Sequence, residues 1–323
     1  MPASHSDLII EAKGLKRTYK AKKQVIEAVR GVDIEVRRGE IVGFLGPNGA
    51  GKTTTLKMLT TLLDPTGGSA TVCGSDLRRD SVGVRRKIGY VSQAGSTSAE
   101  ALVGEEIVDH ARLYGIPPSL SRTRARELLA ALELADIWER KCGSLSGGQR
   151  RRLDIVMGLI HQPELVFLDE PSTGLDPQSR ANLWTHIRKL RDDLGTTVFI
   201  TTHYMDEADS LADRILIIDQ GTIVAEGTPA ELKKRVSGDT ITLTLRTEAD
   251  AQRSAAIAAG LVGADKPTAE ANVVRFHVPE GGSALPILLG DLVKAGIEAI
   301  GVEVNRPTLD DVFLTLTGRS LRD

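Results

Sequence analysis

The hydrophobic and polar positions of this chain fall into runs of two distinct periods. Residues Leu8–Val36 alternate polar and apolar in two pieces, which predicts two antiparallel strands packed over the start of a main sheet, with Tyr19 in the turn between them. Ile41-Val42-Gly43-Phe44-Leu45 is an unbroken apolar run, the pattern of a buried strand. Thr53–Leu63 is rich in Leu, Met and Lys and reads as a helix. Ser69–Gly74 and Ile88–Ser92 are short apolar strands with basic Arg85-Arg86-Lys87 between them, and Gln93 closes the second.

From Ala94 to Leu145 the period changes. Gly95–Ala99 is small and polar, a loop. Ala101–Tyr114 and Ser121–Leu134 carry helical periodicity on either side of the breaker Gly115-Ile116-Pro117-Pro118. This predicts a helical insertion, over about residues 94–152, in an α/β domain. Another helix opens at Leu145-Ser146-Gly147-Gly148-Gln149 and runs to about His161, where Pro163 stops it. Strand Glu164–Leu168, helix Pro177–Leu194, strand Thr196–Thr201, helix Met205–Ala212 and a hairpin around Gln220-Gly221 follow. Strands alternating with helices imply a mostly parallel sheet. After Lys233–Gly238 the pattern restarts as a compact β-α-β-α-β-α tail, so the expected domains are 1–237 and 238–323.

Composition changes this picture little. The 323 residues are 41% hydrophobic and only 3% aromatic, so aliphatic side chains must fill the cores. A net charge of −2 gives no general pull towards nucleic acid or anionic lipid. Cys73 and Cys142 lie far apart, the histidines form no metal-ligand spacing, and no apolar run approaches the ~18 residues of a membrane helix. The start, Met1–Asp7, has neither the charged nor the apolar region of a signal peptide. A cytosolic chain is expected, with any membrane role exercised through a partner.

Candidate chemistry concentrates at strand ends. Gly46-Pro47-Asn48-Gly49-Ala50-Gly51-Lys52-Thr53 fits G-x-x-x-x-G-K-[ST] between a strand and a helix. The glycines let the backbone curl so that N–H groups point at phosphate oxygens, and the helix start adds its unpaired N–H groups. Lys52 would reach the β- and γ-phosphates, and the Thr53 hydroxyl would ligate Mg²⁺. Leu165-Val166-Phe167-Leu168-Asp169-Glu170 places a carboxylate, Asp169, at a buried strand end where it can hold the Mg²⁺ shell, and Glu170 beside it can polarise a water. Taken alone, that second pattern also describes a strand meeting a solvated turn. In Leu145–Gln149, Ser146 can cap the next helix while two glycines bare its N–H groups, which makes a second anion-binding surface. If the helical insertion holds this surface away from Gly46–Thr53, it needs a phosphate on another protomer. Arg150-Arg151-Arg152 is read as a solvated helix start or a contact with a partner subunit in preference to a nucleic-acid patch.

With these motifs in order over Leu8–Arg235, the sequence resembles the nucleotide-binding subunits of ABC transporters. The resemblance implies an α/β P-loop (RecA-like) ATPase core with an antiparallel β subdomain and a helical insertion, followed by a small α+β domain. It implies ATP and Mg²⁺ as cofactors, with Gly46–Thr53 and Thr54 as the nucleotide loop and Tyr19 stacked on adenine. Gln93 would touch Mg²⁺ and sense the insertion. Asp169 would join the metal shell, Glu170 would be the catalytic base, and His203 would contact the γ-phosphate. Ser172-Thr173-Gly174-Leu175-Asp176 would be the D-loop, reading Ser-Thr-Gly where Ser-Ala or Thr-Ala is also frequent. Ser146, Gly147, Gly148 and Gln149 would close over the ATP of a second ATPase subunit, in a homodimer docked on an integral membrane permease at the cytoplasmic face of the cell membrane. Arg306–Leu314 and Gly148–Ile155 are similar to the daunorubicin-resistance group of bacterial exporter ATPases, although Met often stands there in place of Gln149. That group exports drugs, polyketides or lipids. A rival reading, a soluble ABC ATPase acting on ribosomes or DNA, fits less well. The chain holds one cassette, no long coiled coil and no zinc insertion.

Overall fold

The computed structural model describes residues 7–21, 24–236, 238–261 and 263–318. The chain divides into two compact units at Pro229/Ala230. The predicted boundary residue, Ser237, and residues 1–6 of the start lie outside the described residues.

In the first unit, β1 (Leu8–Ala21) and β2 (Gln24–Arg37) pair antiparallel. Tyr19 lies on β1, opposite Ile26, and not in the turn. The strand continues to Ala21 because Thr18, Tyr19 and Lys20 each find a register partner on β2. β3 (Ile41–Leu45) is buried along its whole length and leads through the loop at 46–51 into α1 (Lys52–Leu59). β4 (Gly67–Val72) and β5 (Ser75–Asp76) complete a four-stranded antiparallel sheet with β1 and β2. The basic stretch before the next strand is a helix, α2 (Ser81–Lys87), capped by the Asp80 carboxylate on the Gly83 N–H. Next come β6 (Ile88–Val91), then α3 (Val103–Leu113) and α4 (Pro118–Ala131) of the insertion, then α5 (Gly147–Leu159). β7 (Leu165–Asp169), α6 (Pro177–Leu194), β8 (Thr197–Thr202), α7 (Met205–Leu211), β9 (Arg214–Asp219) and β10 (Thr222–Gly227) finish the unit.

The main sheet has the order β10-β9-β3-β8-β7-β6 and is parallel except for β10. Period-two alternation sorts its side chains between two cores. Leu165, Phe167 and Phe199 face the antiparallel sheet, where Phe199 packs 5.5 Å from Phe44 and 5.6 Å from Phe167. Val166, Leu168, Val198 and Ile200 face α5, α6 and the insertion helices. The three loops that end β3, β7 and β8 therefore emerge side by side at one edge of the sheet, the usual place for a ligand in an open parallel sheet.

α8 (Pro229–Lys233) starts at the division, and the second unit continues as β11 (Asp239–Leu245), α9 (Glu248–Ala258), β12 (Thr268–Glu270), β13 (Val273–Val278), α10 (Gly281–Lys294), β14 (Ala299–Asn305) and α11 (Leu309–Thr317). Its antiparallel sheet has the order β12-β13-β11-β14, with one core of Ile241, Leu243, Phe276, Val278 and Leu292. β12 is a short addition to the expected pattern. Among the described residues no helix is long and apolar enough to cross a membrane.

Candidate nucleotide site

The loop from Gly46 to Gly51 is shaped by close backbone approach. A Cβ on Gly46 would sit 2.2 Å from the Ile218 carbonyl oxygen, and one on Gly51 2.5 Å from that of Ala28. Gly51 also has φ 107°, a conformation open to glycine. The turn aims the unpaired N–H groups of the α1 start into a cleft of about 230 Å³ lined by Ala28, Asn48, Gly49, Gly51–Thr54, Gln93 and Glu170. Ala28, from β2, has no counterpart in the sequence reading. Its contribution is a backbone wall that only the fold brings there.

Lys52 is buried, and its ammonium donates to the carbonyls of Gly46 (2.8 Å) and Pro47 (3.1 Å). It lies 3.4 Å from Glu170 Oε1. Burial pushes its pKa down, and the Glu170 and Asp169 carboxylates oppose that shift. Glu170 is the hub. Its Oε2 accepts from Gln93 Nε2 (3.2 Å) and the Thr173 hydroxyl (3.3 Å), and His203 Nδ1 approaches the same oxygen to 3.2 Å without hydrogen-bond geometry. Glu170 holds φ 45°, a strained value for a side-chain-bearing residue. Its N–H is fixed by the Thr201 carbonyl and hydroxyl, both at 3.1 Å. Asp169, fully buried, accepts from Thr201 (2.6 Å) and from the Thr53 hydroxyl (3.3 Å). The fold thus brings Lys52, Thr53, Gln93, Asp169, Glu170 and His203 to one place. A hydroxyl and a carboxylate that meet at 3.3 Å form a hard-oxygen pair suited to Mg²⁺, which takes few protein ligands when phosphates supply the rest.

The remaining candidates stand elsewhere. Tyr19 lies outside the cleft lining, exposed, with the Arg17 guanidinium 4.7 Å over its ring. Ser146 and Gly147 are exposed at the start of α5 and also outside the cleft. Ser146 and Gln149 form a reciprocal capping box, at 3.2 and 3.1 Å. Asp176 caps α6 through the Ser179 N–H (2.9 Å) and hydroxyl (2.6 Å), bonds that hold its carboxyl below the usual range. The two helix starts are neighbours, since a Cβ on Gly148 would lie 3.2 Å from Ser179 Oγ.

Two functional supports escape the sequence reading. Arg151 is neither solvated nor free for a partner. It is 7% exposed, and its guanidinium donates to the carbonyls of Pro171 (2.9 Å), Ser92 (2.6 Å) and Asp169 (2.9 Å). Arg150 and Arg152 likewise turn to carbonyls of their own chain, those of Gly143 (3.3 Å) and Leu132 (2.9 Å). The signal available in the sequence was Arg151 with Asp154 one turn on, inside a helix otherwise buried by Leu153, Ile155 and Val156. Glu207 is the second. Buried on α7, it accepts from the Ser172 hydroxyl and from Trp184 Nε1 (3.1 Å), and so joins the segment after Glu170 to the helix after His203. Burial pushes its pKa up against those bonds.

Residues 29–173 match the family described as ABC transporter, and residues 227–317 match the C-terminal domain described for ATP-binding proteins DrrA1-3. The chain is 42% identical over 317 residues to the daunorubicin resistance ATP-binding protein DrrA3 of Streptomyces coeruleorubidus, covering 98% of each. It is 42% identical over 320 residues to the daunorubicin/doxorubicin resistance ATP-binding protein DrrA of Streptomyces peucetius, covering 97% of this chain and 94% of that one. Among solved structures, the dimeric, post-hydrolysis ATP-binding cassette MJ0796 bound to ADP and Pi aligns with TM-score 0.62 and 28% identity, over 68% of this chain and 98% of that one.

Proposed function

The chain belongs to the ATP-binding, ATP-hydrolysing subunits of ABC transporters, and on that premise we propose that it powers export of a drug-, polyketide- or lipid-like compound through a separate membrane permease, working as a homodimer at the cytoplasmic face of the membrane. The names of its relatives, daunorubicin and doxorubicin resistance ATP-binding proteins, support an antibiotic-like cargo. The dimeric cassette to which it is similar supports the two-copy arrangement.

In this reading the phosphates of ATP lie against the N–H groups of Gly49–Thr54, and the Lys52 ammonium turns from the Gly46 and Pro47 carbonyls to a phosphate oxygen. Thr53, Asp169 and Gln93 hold Mg²⁺, which neutralises charge on the phosphates. Glu170 orients the attacking water and takes its proton, and His203 contacts the γ-phosphate. Tyr19 stacks on the adenine. Ser146–Gln149 of one copy closes over the nucleotide held by the other, with Asp176 beside it. Closure is favoured because ATP makes contacts in the shut dimer that it lacks in the open one. The insertion moves with Gln93 and pushes the permease. The C-terminal unit, from Ala230 on, is an accessory element.

The observation that carries the reading is the convergence of Lys52, Gln93 and His203 on the Glu170 carboxylate beside the Thr53–Asp169 pair. Glu170→Gln tests it. Hydrolysis is expected to fall by roughly 10²–10⁴, the usual worth of a general base, while ATP is still bound and the ATP-loaded dimer accumulates. Turnover at the unaltered rate would remove Glu170 from the chemistry.

A further inference from the structure

Gln93 reaches the cleft from a tight turn just past the end of β6. The Gly95 N–H donates to the Ser92 carbonyl (3.3 Å) and the Ser92 hydroxyl donates to the Gly95 carbonyl (3.3 Å), so Gln93 and Ala94 are the central residues of a β-turn. Both are exposed, and their own packing does not hold them in place. The turn is gripped at its two ends by α5. Arg151 Nη1 donates to the Ser92 carbonyl (2.6 Å), and the Asp154 carboxylate accepts the Ser96 N–H (3.3 Å). Gly95 fits over the same carboxylate. It has φ 75°, which favours glycine, and a Cβ on it would sit 3.1 Å from Asp154 Oδ2.

Asp154 is 5% exposed, and burial pushes its pKa up while Arg151 and the Ser96 N–H oppose that shift. A buried carboxylate is costly unless its partners compensate it. Arg151 does not need it as an acceptor. Its guanidinium already donates to three carbonyls at 2.6–2.9 Å, whereas Asp154 Oδ2 lies 3.8 Å from Nη1. The hydrogen bond that Asp154 accepts comes from the loop that carries Gln93.

We propose that Asp154 is a positioning residue: it holds the Ser96 N–H while Arg151 holds the Ser92 carbonyl, and together they fix the turn that presents Gln93 to Glu170. Gln93 Nε2 then donates to Glu170 Oε2 at 3.2 Å from a backbone with little freedom to move. The helix that sets this glutamine is the one whose start carries the Ser146–Gln149 capping box. The clamp lies within one chain and needs no nucleotide. Only its consequence for hydrolysis rests on the function proposed above.

Hydrogen exchange in the full-length, nucleotide-free protein tests the clamp, with cooperative thermal unfolding to establish that each variant is folded. Asp154→Ala should speed exchange at the Ser96 amide by about ten- to a hundredfold, the worth of one hydrogen bond to a charged group. Asp154→Asn keeps an acceptor oxygen and removes the charge, so it should exchange near the parental rate. Parental exchange in the Ala variant would mean that nothing is clamped. An Asn variant as fast as the Ala variant would mean that Asp154 serves only as the counter-ion of Arg151. Either result overturns the proposal. Should Asp154→Ala not fold, Gly95→Ala displaces the same turn with Asp154 in place, and parental exchange at Ser96 there would be equally fatal.

Hydrolysis supplies the second readout. In Asp154→Ala, kcat should fall by about ten- to a hundredfold, the cost of misplacing a group by an ångström, while single-site ATP affinity stays near the parental value. In a Gln93→Ala background the same substitution should cost nothing further. An equal loss in both backgrounds would show that Asp154 does not act through Gln93, and would also overturn the proposal. Gln93→Ala turning over at the parental rate would instead sink the part given to Gln93 in hydrolysis and leave the exchange result standing.

Discussion

Ser146 separates two roles that one side chain combines. Its hydroxyl oxygen accepts the Gln149 N–H at the start of α5, and loss of such a cap costs about 1 kcal/mol. That is a small part of the roughly 5–15 kcal/mol that holds a domain folded. The same hydroxyl keeps its proton free to donate. In the dimer proposed above, its hydrogen bond to a phosphate oxygen of the partner's ATP would be worth about 1.5–3 kcal/mol, or roughly ten- to more than a hundredfold in rate at 1.36 kcal/mol per decade. Ser146→Ala loses both roles. Ser146→Asp loses only the second, because aspartate caps helices as well as serine does. It also sets a carboxylate against the γ-phosphate, where two unit charges 4 Å apart repel by about 4 kcal/mol at an effective dielectric of 20. The Asp variant should therefore melt with the parent and bind ATP at a single site with unaltered affinity in dilute solution, yet lose about a thousandfold in hydrolysis, well below the Ala variant. Thermal unfolding, nucleotide titration and phosphate release measure the three quantities. An Asp variant that hydrolyses ATP at the parental rate would refute the claim that this helix start faces a phosphate.

Removing Lys52 should abolish turnover and weaken ATP binding, and Lys52→Ala should also destabilise the nucleotide-free protein by about 3 kcal/mol, because it strands the buried Glu170 carboxylate. Adding Glu170→Gln to Lys52→Ala should restore much of that loss, and denaturant titrations of the four proteins check the coupling. Glu207 gives a pH dependence. Its folded-state pKa lies above the ordinary carboxyl value because of burial, so the folded protein holds this proton more tightly than the unfolded one. Its contribution to stability is complete below the unfolded value and is lost as pH rises through the folded one. Glu207→Gln should match the parent in thermal midpoint at acid pH and exceed it increasingly as pH rises. Parallel curves would show that the carboxyl does not change its proton on folding.

What the sequence made legible was what is decided locally. α6 was read at its observed bounds because its start is written as Asp176-Pro177 and its end as Gly195 in the left-handed conformation. β13 was read at its bounds because three alternate positions are apolar. The loop at 46–53 declares its own chemistry through its spacing. α2 escaped notice because a seven-residue helix with one buried residue, Val84, has no period to show. The sequence pattern puts Tyr19 in a turn because the register irregularities of β1 and β2 blur their alternation. Arg151 and Glu207 look like surface charges in sequence. Their partners lie far along the chain, and only the packed sheet makes a buried ion satisfiable at those points.

The guanidinium of Arg151 acts as a rivet. It fastens the carbonyl one residue before Gln93 to the carbonyl one residue before Glu170 and to the one that follows it. The loop that meets the helical insertion cannot slide on the sheet without dragging, or tearing loose from, the backbone that carries the Glu170 carboxylate. A lysine there has a single ammonium in place of a planar fork and could not span three acceptors. Such a swap would leave the charge in place while loosening the mechanical link between the insertion and the segment that holds Glu170.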